Sequence, residues 1–154
     1  MELVLEYPIN VVVKRSDSEE RLKVVYRYPT KKEEKEFREI EKKLFGLIKR
    51  SRKLRSSLEA IEKKIEYAEK RGDWEAAEKH LNKKQKLEEE YEKLLEELEQ
   101  EGGQDIGEVI SKKKFEVLVG GEDKEKLQEL AEIIGYTRII GQLDKERSEL
   151  EGKQ

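Results

Sequence analysis

KKLFGLIKRSRKLRSSL, residues 42–58, contains seven basic side chains and no acidic one, whereas EEEYEKLLEELEQE, residues 88–101, contains eight acidic side chains and one basic one. The two stretches lie at equal distances on either side of the Gly72-Asp73 dipeptide. If the chain reverses there as two antiparallel helices, the basic run lies along the acidic run and the opposite charges attract. The charge pattern therefore predicts a helical hairpin.

A 3-4 spacing of apolar residues runs through both halves of this hairpin, which is the pattern of a coiled-coil seam. In the first helix its members are Phe37, Ile40, Leu44, Leu47, Ser51, Leu54, Leu58, Ile61, Ile65 and Ala68. In the second helix they are Trp74, Ala77, Leu81, Leu87, Tyr91, Leu94 and Leu98. Pairing residues whose numbers sum to about 145 aligns the two seams in one antiparallel register.

Local signals set the ends of these helices. Thr30 and Glu33 form a capping box, so the first helix is expected to begin at Lys31. Gly72 provides the left-handed residue that ends the first helix, and Asp73 caps the second. We expect the hairpin to occupy residues 31–101.

The first thirty residues predict a β-hairpin. Apolar residues alternate with polar ones twice, first from Leu3 to Val13 and then from Leu22 to Tyr28, on either side of a polar run. Pro8 lacks an amide donor, so it favours an edge position for the first strand.

The region after the Gly102-Gly103 linker reads as a strand followed by a helix. Lys114–Val119 alternates as a third strand, and Glu122–Ile134 has helical periodicity that ends at Gly135. Tyr136–Ile140 is either a short strand or a further helix, and its β-branched residues between two glycines favour the strand. The predicted fold is therefore α+β: a small β-sheet head (residues 1–30 and 102–154) with an inserted antiparallel coiled-coil arm.

Composition excludes several classes of protein. Charged residues make up 46% of the chain and hydrophobic ones 34%, which suits long solvated helices. The absence of cysteine excludes disulfides, thiol nucleophiles and thiolate metal sites. No apolar run reaches the length of a membrane span, so we expect a cytoplasmic protein without membrane contact. Abundant Lys and Glu with few Asn and Met indicate a heat-adapted source.

Chemical sites are scarce. His80 has no carboxylate at three or four residues' distance, and the acidic residues after Gly120-Gly121 would cap the next helix and repel a phosphate. The tripeptide that ends at Asp73 has the composition of a helix–helix turn rather than of an adhesion site. We therefore expect no catalytic residue, no cofactor and no metal ion.

Two surfaces remain as candidates for binding. Nucleic acid is one candidate partner of the basic run, but the acidic helix and the net charge of −3 do not favour it. The bases concerned are Lys49, Arg50, Arg52, Lys53 and Arg55. An apolar cluster projects past the end of the second helix and predicts a protein interface, with a homodimer expected. Its members are Phe37, Ile40, Leu44, Phe45 and Ile48.

These observations favour a non-enzymatic interaction protein, such as an assembly factor, adaptor or chaperone-like clamp, that acts through its coiled-coil arm. The segments Tyr7-Pro8-Ile9 and Arg27-Tyr28-Pro29-Thr30 also resemble the hairpin-then-helix opening of phage tail assembly chaperones over about a fifth of the chain. This resemblance implies an assembly chaperone or a structural component.

Overall fold

The computed structural model describes residues 1–153 and confirms the α+β class. Within these residues, three strands form one antiparallel sheet in the order β1-β2-β3, and five helices accompany it. The elements are β1 (Glu6–Lys14), β2 (Glu19–Arg27), α1 (Lys31–Lys70), α2 (Trp74–Gln100), α3 (Ile106–Leu118), β3 (Val119–Gly120), α4 (Lys124–Ile134) and α5 (Tyr136–Gly152). The chain divides into a sheet unit, residues 1–40 with the chain from Gly107 onward, and a hairpin unit, residues 41–106.

The predicted β-hairpin is confirmed, and β1 is an edge strand. The Tyr28 amide donates to the Leu5 carbonyl at 2.9 Å, so the odd-numbered residues of β1 face β2 with their amides and carbonyls. Pro8 is even-numbered, so its backbone nitrogen points to the open edge of the sheet. The amide hydrogen that proline lacks would therefore not have bonded to β2. This position explains why the sheet tolerates a proline.

The strand predicted at Lys114–Val119 is wrong over most of its length. Residues up to Leu118 belong to α3, and only Val119 and Gly120 pair with β2. Buried Ile110, Ser111, Phe115 and Leu118 recur at helical spacing, whereas Val117, which the alternation placed inside, is 40% exposed. The alternation was a coincidence, and burial along a helical face decided the structure.

The strand alternative for Tyr136–Ile140 is also wrong, because these residues begin α5. The buried side chains recur at three and four residues, in a helical pattern that outweighs the β-branched composition. They are Tyr136, Ile139, Ile140 and Leu143. Gly135 ends α4 as predicted: it has φ +102°, and its amide donates to the Ala131 carbonyl at 2.8 Å.

The core of the sheet unit lies between the sheet and its helices. It contains Tyr7, Ile9, Leu22, Val24, Tyr26, Phe37, Phe115, Leu118, Val119, Leu127, Ala131, Tyr136, Ile139, Ile140 and Leu143. The aromatic residues of the β-hairpin are therefore core residues or, in the case of Tyr28, packed against the core.

The hairpin unit follows the predicted turn and register. Gly72 has φ +72°, and the Asp73 amide donates to the Ala68 carbonyl at 2.9 Å, in a Schellman motif. Lys43 contacts Glu101 at 2.6 Å across the hairpin. Farther along, Lys84 contacts Glu62 at 3.5 Å, and Arg55 donates to the Tyr91 hydroxyl at 3.2 Å. The residue numbers in each pair sum to about 145, so the predicted antiparallel register is confirmed.

The predicted seam of α2 needs one correction. Trp74 and Leu81 are 68% and 45% exposed, whereas His80 and Lys84 are half-buried. The side chains that face α1 therefore follow the unbroken 3-4 series Ala77, His80, Lys84, Leu87, Tyr91, Leu94 and Leu98. Spacing rather than hydrophobicity decides which residues of a helix face its partner.

Candidate interaction groove on the helical hairpin

A groove of about 700 Å³ opens on the hairpin unit. One wall is a face of α1 formed by Phe45, Ile48, Lys49 and Arg52, which follow one another at helical spacing. The other wall is the segment Gln104, Asp105 and Ile106. This opening places apolar and basic side chains of α1 side by side.

The groove continues along α1 into a second space of about 290 Å³. Ile48, Arg52 and Gln104 line both spaces, and Arg55 and Tyr91 are added at the far end. We refer to the two spaces together as the α1 groove. It extends over the ten-residue advance from Phe45 to Arg55, which is roughly 15 Å of helix.

The apolar end of the α1 groove is open to solvent. Phe45 is 57% exposed, and Ile48 is half-buried beside it. A phenylalanine ring that stays in contact with water forgoes the 1.5–3 kcal/mol or so that full burial contributes. Exposed aromatic side chains in a concave setting are typical of binding surfaces.

The basic end is only partly neutralised by α2. Arg55 bonds to the Tyr91 hydroxyl, but within residues 1–153 neither Lys49 nor Arg52 forms an ion pair. Lys43, which lies outside the groove, is by contrast paired with Glu101, and this bond raises the pKa of the Lys43 amine. The α1 groove thus retains free positive charge for an acidic partner.

The structure brings together members of both predicted sets of site residues. Phe45 and Ile48 from the apolar cluster line the same groove as Lys49, Arg52 and Arg55 from the basic run. The other members of the two sets do not line the groove. In the apolar cluster, Phe37 and Leu44 are buried within the chain and Ile40 is half-buried. In the basic run, Arg50 and Lys53 are exposed.

The glycines before α4 serve the sheet. A Cβ on Gly121 would lie 2.9 Å from the Val24 Cα, so this position admits only glycine without a shift. The expectation that Asp123 caps its own helix is wrong, because its carboxylate accepts from the Lys23 amide at 2.7 Å. This acidic residue extends the pairing of the sheet rather than forming part of an anion site.

Sequence reasoning missed a partly buried polar cluster in the sheet unit. The Tyr26 hydroxyl donates to Asp144 at 2.7 Å, and burial is the main reason that the pKa of Tyr26 is raised. The Arg147 guanidinium lies 4.6 Å from the Tyr26 ring centroid and 4.2 Å from that of Tyr28. The i, i+3 spacing of Asp144 and Arg147 was the only local signal. This cluster ties α5 to the sheet and offers no open site.

The described residues form neither a metal site nor a membrane-spanning helix. Among residues 1–153, no three His, Cys, Asp or Glu side chains are grouped so that they could hold a metal ion. None of the helices described is sufficiently long and apolar to span a bilayer.

The chain was also compared with known proteins. No protein-family model matches it, and searches among curated proteins and solved structures returned no significant match.

Proposed function

We propose that this is a non-enzymatic interaction protein, such as an assembly factor, adaptor or chaperone-like clamp, whose α1 groove is a protein-binding surface. The exposure of Phe45 beside the unpaired Lys49 and Arg52 is the observation that carries the proposal. A protein segment with an apolar side chain and nearby carboxylates complements this surface, because burying Phe45 and pairing the cations both lower the free energy.

The test is photo-crosslinking in an extract of the source cells. A benzoylphenylalanine replaces Phe45, and a control protein carries the same group at Ile133, an apolar position in α4 that is more exposed than Phe45, at 81% against 57%. We expect covalent protein adducts from position 45 and few from position 133. Equal yields at the two positions would remove the case for the groove.

A nucleic-acid-associated protein is the second candidate. It is favoured by one observation: Lys49, Arg50, Arg52 and Lys53 are all exposed and, in the described part of the chain, none of them is ion-paired. Phosphate binding by these bases would give strong retention on heparin that falls steeply with added salt. Elution at low salt, together with protein adducts at position 45, supports the first proposal.

A further inference from the structure

We infer that the α1 groove receives the acidic face of α2 from a second copy of the chain, so that the hairpin units pair around a two-fold axis. This inference rests on the proposed function, because it uses the same groove, and it names the occupant.

The acidic face lies on α2. Glu88, Glu92, Leu95 and Glu99 recur at 4-3-4 spacing and so form one stripe, with Glu96 beside it. The four glutamates are exposed, and Leu95 is half-buried. Glu92, Glu96 and Glu99 have no ion-pair partner among residues 1–153, so this stripe carries surplus negative charge next to a leucine.

The stripe and the groove lie on the same side of the hairpin. Lys84 contacts Glu88 on α2 at 3.8 Å and Glu62 on α1 at 3.5 Å. Because one side chain reaches both glutamates, Glu88 and Glu62 lie on the same side of the hairpin. Residues that are three or four positions apart lie on one face of a helix. Counting back from Glu62 in such steps gives a series that includes the groove residues and ends at Phe45. The series is Glu62, Glu59, Arg55, Arg52, Ile48 and Phe45.

The register of the hairpin makes the two surfaces meet under symmetry. Because paired residue numbers sum to about 145, the groove at residues 45–55 is level with residues 90–100 of α2. A two-fold axis parallel to the hairpin places α2 of one copy across α1 of the other at this same level, in antiparallel orientation. Both contacts then form at once, as an isologous dimer requires, and four helices pack together.

Side-chain chemistry agrees with this arrangement. Ile48 of one copy comes level with Leu95 of the other, which supplies an apolar contact in the groove, and Phe45 comes level with the end of α2 at Glu99. Arg52 comes level with Glu92, so opposite charges meet. A polyanion such as nucleic acid fits less well, because the glutamates on the same side of the hairpin repel it.

The first experiment measures mass by sedimentation velocity and light scattering at tens of micromolar in low salt. We expect twice the monomer mass of 18.2 kDa, with dissociation favoured at least tenfold by Phe45→Glu and by the double variant Lys49→Glu/Arg52→Glu. The control Arg50→Glu/Lys53→Glu changes the net charge equally but outside the groove, and it should leave the dimer intact. Circular dichroism establishes that each variant remains helical.

A charge-swap mixture provides the sharper test. Glu92→Lys/Glu96→Lys should weaken the dimer alone, and mixing it with Lys49→Glu/Arg52→Glu should restore a heterodimer, because both contacts again join opposite charges. Loss of folding cannot produce such rescue. A folded monomer, a dimer indifferent to these variants, or failure of the mixture to recover would each overturn the inference.

Failure of the pairing and failure of the proposed function give different results. A monomer that still yields protein adducts at position 45 overturns the self-pairing and leaves the groove as a site for another protein. A monomer without such adducts overturns both.

Discussion

The Glu33 carboxylate joins β2 to the start of α1 in the sheet unit. It accepts two bonds of 2.7 Å from the Arg27 guanidinium on β2 and one of 2.9 Å from the Thr30 amide at the start of α1. Arg27 also donates to the Val117 carbonyl of α3 at 3.1 Å. The predicted capping box is therefore half of a larger arrangement, whose bidentate ion pair has the stronger geometry.

Acid should weaken this arrangement. The bonds from Arg27 and then from Thr30 lower the pKa of Glu33 from 4.5 to about 2. A carboxylate with a depressed pKa contributes stability that is present above pH 4.5 and is lost as the pH falls toward 2. We expect Glu33→Gln to lower the free energy of unfolding at pH 7. The difference in unfolding free energy between wild type and the variant, measured by urea unfolding, should shrink as the pH falls from 4.5 toward 2.

Glu34→Gln is the control for Glu33, since it removes an exposed charge from the same turn. A difference between wild type and Glu33→Gln that stays constant from pH 7 to pH 2 would contradict the prediction.

Glu108 caps a helix that is distant in sequence. Its carboxylate on α3 accepts from the Tyr136 amide, and from the Thr137 amide and hydroxyl at 3.1 and 2.9 Å, at the start of α5. Burial works to raise its pKa, but these bonds outweigh burial and hold the pKa of Glu108 below its usual value. We expect Glu108→Ala to cost about 1–2 kcal/mol of unfolding free energy by chemical denaturation. Glu125→Ala, an exposed change on α4, should cost far less, and equal losses would argue against the cap.

At the scale of elements, the corrected seam of α2 makes a direct prediction. Leu98 is 1% exposed and Leu81 is 45% exposed, although both carry the same side chain. We expect Leu98→Ala to lower the unfolding free energy by about 2–5 kcal/mol, because it leaves a cavity. Leu81→Ala should change it by less than about 0.5 kcal/mol. Similar losses in thermal or urea unfolding would mean that Leu81 packs in the seam after all.

The two glycines of α1 and its turn should respond in opposite ways to alanine. A Cβ on Gly46 meets nothing within 4 Å in the middle of the helix, so Gly46→Ala should stabilise the hairpin by about 0.5–1 kcal/mol. Gly72 has φ +72°, where an alanine is strained, so Gly72→Ala should destabilise it. Melting temperatures show whether each substitution stabilises or destabilises the protein. A lower melting temperature for Gly46→Ala would contradict the prediction.

At the scale of the whole molecule, buried side chains should contribute more stability than charges do. Four ion pairs among residues 1–153 join two exposed side chains, and such pairs contribute about 0–1 kcal/mol each. We expect the unfolding free energy of dilute protein to change by less than about 2 kcal/mol between 0.05 and 1 M NaCl. A collapse of helicity in high salt would instead mean that the opposite charges of α1 and α2 hold the hairpin.

The fold could be predicted where neighbouring residues decide the structure. Thr30 and Glu33 mark the start of α1, Gly72 marks its end, and the alternation around Tyr7 marks β1, because each signal acts within one or two turns of chain. The class of fold followed from these signals. The strand predictions that failed, at Lys114–Val119 and Tyr136–Ile140, fell on short segments whose patterns suit a strand as well as a helix.

The sequence by itself determined the helical hairpin, its register and the β-hairpin, since periodicity and caps are properties of local chain geometry. Only the tertiary structure decided that α3 is a helix, that Glu108 caps α5, and that the α1 groove exists. Its two walls, at Phe45 and Ile106, are far apart in the chain, and no local pattern specifies such a meeting. Contacts between distant residues are formed by packing, and packing selects among local alternatives that are nearly equal in free energy.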